Sequence, residues 1–169
     1  MVRDASEADA RGMAEVQVAA WRAAYRGIVQ PQLLEELSVG AREEVWREVI
    51  AGGGMTLVAG DENDVVEGYC SLILPSRDED AGDRTAEIAA TYVDPARWGQ
   101  GVGGSLLREA LARLGTGRWD DVTLWVFRRN AQGRAFYARS GFRLDGATGS
   151  HQPSGVATAR MRLPLGGTL

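Results

Sequence analysis

Four of the six residues from Gly99 to Gly104 are glycine, and this cluster constrains the chain more than any other segment. The stretch before it, Ala86 to Val93, alternates as a strand does. The stretch after it repeats Leu107, Ala110, Leu111 and Leu114 on one helical stripe. Glycines in a strand-to-helix turn cost chain entropy and contribute no packing. In return they bring bare backbone N–H groups close to an anion that the helix N-terminus also attracts. The segment therefore predicts a phosphate-bearing ligand.

Gly99, Gly101 and Gly104 satisfy G-x-G-x-x-G literally, but two checks fail. In a dinucleotide-binding unit the first glycine follows its strand almost at once, and an acidic residue ends the next strand. Here Asp94-Pro95-Ala96-Arg97-Trp98 intervenes, and Asp120 and Asp121 precede the next strand. No Gly-Lys-Ser/Thr follows to make a Walker A loop either.

The chain of 169 residues reads as one domain over 1–169. Ser6 to Asp9 opens a helix through about Tyr25, and Ser38 opens a second, with Ala41, Val45, Trp46 and Val49 on one face. The period then changes to two: Thr56 to Ala59 and Val65 to Leu74 form a hairpin across Asp61–Asp64. After the glycine helix come a strand at Val122 to Phe127 and a helix at Asn130 to Ser140 closed by Gly141. Two strands follow, near Phe142 to Leu144 and Val156 to Leu163, with a polar loop between them. Such an order predicts a mixed α/β sheet covered on both faces.

With a formal net charge of -4, the chain has no basic stripe for nucleic acid. Its apolar runs are strand-sized, short of the ~20 residues that cross a bilayer. The single cysteine, Cys70, excludes an intramolecular disulfide and suits a reducing cytoplasm. The only histidine, His151, lies in a polar loop and reads as an exposed residue without metal-ligand partners, so no metal site is expected.

Tyr92-Val93-Asp94-Pro95 through Gly103 resembles the signature of the GNAT family of acyl-CoA N-acyltransferases: a strand ending at a Val-x-Pro-like corner, then Arg/Gln-x-x-Gly-x-Gly/Ala opening a helix. The likeness extends to Val2–Asp9, to Trp21–Gly27, and to Asn130–Phe142, which resembles the family's Asn-x-x-x-x-x-Phe-Tyr-x-x-x-Gly-Phe segment. Trp98 departs from the pattern, standing where Arg or Gln is usual, and Arg97 beside it offers a charge instead.

The resemblance implies a single-domain fold with a mixed, partly splayed sheet flanked by helices, and acetyl-CoA as cosubstrate for an amine acceptor. It assigns the cosubstrate to Tyr92, Val93, Arg97, Trp98, Gly99, Gln100, Gly101, Val102, Gly103, Gly104, Ser105, Asn130 and Tyr137. It leaves a homodimer open, and also a module that binds acyl-CoA without turnover.

Two residues carry the chemistry the resemblance implies. Glu87 overlays, without gaps from Gly101, the catalytic glutamate of the family's histone-acetyltransferase branch; the alternative is a solvated carboxylate at a strand end. Tyr137 stands where the family keeps a tyrosine near the CoA sulfur, and its phenol suits proton donation to a thiolate; the alternative is a core aromatic. Asn130 is a helix N-cap on residue type alone. Trp21 and Tyr25 either line the acceptor side or belong to the core, and the loops after Tyr25, at Pro75–Arg84 and at Thr148–Gly155 are expected to shape the acceptor pocket.

Overall fold

A computed structural model describes residues 1–166. Seven strands form one sheet: β1 (Val2–Asp4), β2 (Thr56–Gly60), β3 (Val66–Ile73), β4 (Thr85–Val93), β5 (Asp121–Phe127), β6 (Arg143–Ser150) and β7 (Ala157–Pro164). Their spatial order is β1-β2-β3-β4-β5-β7-β6, and only β4 and β5 run parallel. Helices α1 (Ala10–Ala24), α2 (Pro31–Glu35) and α3 (Val39–Ala51) lie toward one face, and α4 (Val102–Gly115) and α5 (Ala131–Arg139) toward the other. This is the expected mixed sheet with helices on both sides. Among the described residues no helix is long and apolar enough to cross a membrane.

The helix ends follow their residue types. Asp9 closes a capping box with Ser6 and also takes both guanidinium nitrogens of Arg3 at 2.9 Å. Ser38 accepts from Ala41 N at 3.2 Å to start α3, and Gly141 takes φ +95° just beyond α5. The larger core lies between the sheet and α4, whose Leu106, Leu107, Ala110 and Leu114 are each at most 1% exposed. At about 1.5–3 kcal/mol for each buried leucine, this stripe fixes α4 on the sheet.

Three expectations differ from the structure. Val45 is 46% exposed and Trp46 alone is buried on α3, where it packs with the partly buried Val39, Val49 and Ile50 against α1. The segment from Pro31 adds a short helix. Strand β6 runs to Ser150, so the polar loop before β7 shrinks to 151–156; β6 is an edge strand, mostly exposed, and lacks the apolar alternation that would have marked it.

Two irregularities fall at one point of the sheet. The β4–β5 ladder ends at Ile88↔Leu124, and the strands part beyond it. On the other side of β4, Ser71 pairs with Ala90 and Leu72 with Ile88, leaving Ala89 as a bulge. One extra residue reverses the inside-outside alternation. Ala86 and Ile88 face α4; past the bulge Val93 packs on that side, while Ala90 and Tyr92 turn toward α1.

Tyr69 is fully buried between sheet and helices, yet its hydroxyl has no hydrogen-bond partner. An unsatisfied buried hydroxyl costs about 1–3 kcal/mol. Tyr69→Phe should therefore match or exceed the wild type in Tm and denaturant midpoint, whereas Leu114→Ala should lose about 2–5 kcal/mol. A clear loss of stability in Tyr69→Phe would show that the hydroxyl is satisfied.

Candidate active site

The glycine segment crosses from the end of β4 to α4 at the mouth of the β4–β5 opening. Gly99 and Gly101 have φ of +75° and +85°, a region that L side chains avoid, and Gly101 is the N-cap of α4. Among the described residues, the backbone N–H groups of Gly99, Gly101, Val102, Gly103 and Gly104 donate to no protein acceptor; the first bond of this turn is Ser105 N to Gly101 O at 3.0 Å. Five free donors in succession at a helix N-terminus make an anion cradle of the kind that suits a pyrophosphate.

Each glycine here has its own reason. A Cβ at Gly103 would lie 3.3 Å from two ring carbons of Phe136 and 3.4 Å from Val93 Cγ2, so this glycine sets how closely α4 approaches α5. Gly104 has nothing within 4 Å and faces open space. The side chains are occupied locally. Trp98 Nε1 donates to Val93 O at 2.9 Å and clasps the loop to the strand end; Gln100 Nε2 bonds Ala96 O at 3.1 Å. Arg97 pairs with Glu67 at 3.0 Å, so its charge is committed within the protein. The cradle is built of backbone.

Tyr137 on α5 packs against Phe136 and Phe142 beside Thr91, on the α4 side of the sheet. Burial raises its phenol well above the ordinary value, against the Thr91 hydroxyl, which eases ionisation. Thr91 in turn donates to Cys70 Sγ at 3.5 Å. A phenol in that state stays protonated through the physiological range and keeps a proton to donate. Asn130 Oδ1 caps α5 by accepting from Gly133 N at 2.9 Å, and a Cβ at Gly133 would crowd the Asn130 amide nitrogen at 2.4 Å. That nitrogen donates to no protein acceptor among the described residues.

Glu87 is only 2% exposed and lies on the α1 face before the bulge. Arg77 reaches Oε1 through Nη2 at 2.5 Å and Oε2 through Nε at 3.3 Å, Arg77 N donates to Oε2 at 3.0 Å, and Ser76 Oγ does so at 3.4 Å. Burial pushes this carboxyl up, but the Arg77 side-chain and backbone hydrogen bonds outweigh it and hold the group below its ordinary value. A carboxylate so saturated is a weak proton acceptor.

The surrounding loop, 75–84, is pinned to the sheet. Asp78 accepts from Trp125 Nε1 at 2.9 Å, and Arg160, 4% exposed, holds Asp78, Asp80 and Asp145 at 3.2, 2.6 and 2.7 Å.

Beyond the bulge, the α1 face carries an aromatic cluster of Trp21, Tyr25, Tyr92, Phe127 and His151. His151 is thus half-buried against two rings, not the exposed loop residue its polar neighbours suggest. Nothing local in the sequence marks this, because its partners are on α1 and β5. The loop after Tyr25 meets the β6–β7 loop through Gln30 Nε2 to Ser154 O at 3.3 Å.

Known proteins resemble this chain in sequence and in fold. A family model described as an acetyltransferase (GNAT) domain matches residues 52–144. A probable N-acetyltransferase of Mycobacterium tuberculosis, Rv2775, is 28% identical over 92% of this chain and 87% of its own length. The PaiA N-acetyltransferase of Thermoplasma acidophilum, solved with coenzyme A, superposes with a TM-score of 0.76 at 21% identity, covering 97% of this chain and 98% of that one. The phosphinothricin acetyltransferase of Sinorhizobium meliloti, solved with acetyl-CoA, gives 0.73 at 25% identity over 98% and 88%.

The Glu87–Arg77 pair sets a pH dependence. A carboxyl held below its unfolded value contributes stability above that value, and the contribution is lost as pH falls through the folded one. The stability advantage of wild type over Glu87→Gln should therefore shrink as pH drops below 4.5, the ordinary glutamate value. In Arg77→Met the guanidinium bonds and charge are lost while the backbone N–H and Ser76 bonds stay, so the Glu87 carboxyl should titrate higher than in the wild type, readable by carbon-13 NMR. A Glu87 pKa unmoved by Arg77→Met would disprove the pairing.

Proposed function

The chain belongs to the GNAT family of acetyl-CoA-dependent N-acetyltransferases, and on that premise we propose that it transfers the acetyl group directly to a primary amine in a ternary complex. The observation that carries this reading is the set of five free backbone donors around left-handed Gly99 and Gly101, at the mouth of a sheet opening whose Thr91 lies beside Tyr137.

Gly99 through Gly104 bind the pyrophosphate of acetyl-CoA through backbone N–H groups. The stretch Ala89–Val93, unpaired toward β5, offers its peptide groups to the pantetheine arm as a neighbouring strand would. Asn130 keeps its free amide N–H for that arm while its oxygen caps α5. Tyr137 donates its hydroxyl proton to the departing thiolate. Glu87 contributes by holding Arg77 and the 75–84 loop against the sheet. The acceptor enters on the α1 face, where the aromatic cluster and the loops after Tyr25 and after β6 meet.

Three variants separate these roles. Gly104→Glu fills open space with a carboxylate that suits the helix N-terminus but repels phosphate, so Tm without ligand should hold while acetyl-CoA affinity falls at least about tenfold by calorimetry. Tyr137→Phe should lower turnover about 10²-fold or more at near-normal acetyl-CoA affinity. Glu87→Gln should lower Tm and keep the shape of the pH–rate profile; recovery of its rate only under alkaline conditions would instead make Glu87 the base. CoA-thiol release over a mixed amine panel tests the reading as a whole, and acetyl-CoA binding without release would leave a binding module in its place.

A further inference from the structure

An ammonium acceptor has to lose a proton before it can attack, and the Glu87 carboxylate is occupied by Arg77. On the same face of the sheet, His151 is held by rings. Its centroid lies 5.4 Å from Trp21 on α1 and 5.4 Å from Phe127 at the end of β5. Tyr92 on β4 stands 6.4 Å from the same Trp21. Tyr92 and Phe127 are both past the last β4–β5 pair, so the imidazole sits where the strands have parted.

The loop fixes the ring's hydrogen bonding. Gly155 N donates to His151 O at 2.6 Å and His151 N to Val156 O at 2.9 Å. Buried Ser154 is tied to the loop after α1 through Gln30. Ser154 Oγ donates to His151 O at 3.3 Å, accepts from Val156 N at 3.3 Å, and lies 2.8 Å from His151 Nδ1. When Nδ1–H donates to that oxygen, the Ser154 hydrogen is left for the His151 carbonyl. Nε2 is then left bare, and among the described residues it has no protein partner. Beside it, Trp21 Nε1 is buried without a partner, a donor left over on the same wall.

We propose that His151 Nε2 accepts the proton of the acceptor amine, with Ser154 as the positioning residue that selects the Nδ1–H tautomer. The assignment rests on the acetyl-transfer reading above. Burial and the positive charge of Arg42 on α3 both push the imidazole below its ordinary value. The hydroxyls of Tyr25 just after α1 and Tyr92 on β4, which belong to the cluster, are kept un-ionised by burial. The ring is therefore neutral at pH 7.

In the step itself, Nε2 takes one proton from the ammonium, and the freed lone pair forms the N–C bond to the thioester carbonyl carbon. The C–S bond breaks with its electron pair on sulfur, which takes a proton from Tyr137. The second amine proton restores the Tyr137 phenol, and the imidazolium releases its proton to solvent. The products are an amide, CoA thiol and one proton.

His151 is the only histidine, so its imidazole signals in nitrogen-15 NMR of the full chain are unambiguous. The expected spectrum shows the Nδ1–H tautomer and a pKa below 6.5, and Ser154→Ala should shift the ring toward the Nε2–H form. An Nε2–H tautomer in the wild type, or a pKa at or above 6.5, would overturn the assignment.

In turnover, His151→Gln should leave acetyl-CoA affinity unchanged, lower kcat/KM at pH 7 by about 10²-fold or more, and abolish the acidic limb of the wild-type profile, with rates recovering toward pH ~10 where amines deprotonate unaided. Persistence of that limb in the variant counts against His151 alone. Absence of thiol release from the wild type with every amine counts against the acetyl-transfer reading, and takes this assignment with it.

Discussion

The parting of β4 from β5 after Ile88↔Leu124 is the constraint from which the site follows. A parallel pair that continued to the strand ends would satisfy its own peptide groups and close the sheet. Because the ladder stops halfway along β4, a line of backbone donors and acceptors is left open, and the glycine cradle is delivered to its far end. The bulge at Ala89, coincident with the parting, divides the side chains between two compartments. Val93 packs toward α4, and Thr91 lies beside Cys70 and Tyr137 on that same side; Tyr92 goes to the aromatic wall on the α1 side.

The two compartments hold titratable groups in opposite states, and burial produces both. It raises the Tyr137 phenol, which favours the protonated form, and it lowers His151, which favours the neutral ring. Glu87 is buried as well, but Arg77 reverses the consequence by stabilising the anion more than burial penalises it. Identical exclusion from water thus yields a donor, an acceptor and a structural anion according to what each group is paired with.

The features legible in the sequence were those set within a few residues. The glycine run needed no partner to be read, since left-handed backbone at Gly99 and Gly101 and free donors at a helix start follow from composition and position. Asn130 as a cap and Gly141 as a left-handed stop were legible for the same reason. What escaped depends on distant segments. The bulge at Ala89 is invisible because its one-residue shift against β3 leaves an ordinary apolar strand in the sequence. Gly103 reads as part of a phosphate loop, yet its contact is the Phe136 ring thirty-three positions on. Arg97 looks like free charge until Glu67 is brought beside it, and Glu87 looks exposed until the 75–84 loop folds over it. His151 sits among polar neighbours in sequence and among rings in space.

The Arg160 cluster has a consequence for how this face comes apart. One buried guanidinium gathers Asp78 and Asp80 from the loop before β4 and Asp145 from β6, while Arg162 joins Asp145 to Asp121 on β5. Carboxylates from three separate segments are kept from repelling one another by cations on a single strand, β7. The 75–84 loop and the β6–β7 hairpin are thereby fused into one cooperative opening unit, since neither can lift without exposing the charges of the other. The loop over Glu87 and the hairpin that carries His151 are tied through the same guanidinium, so a movement of either one is felt by the other.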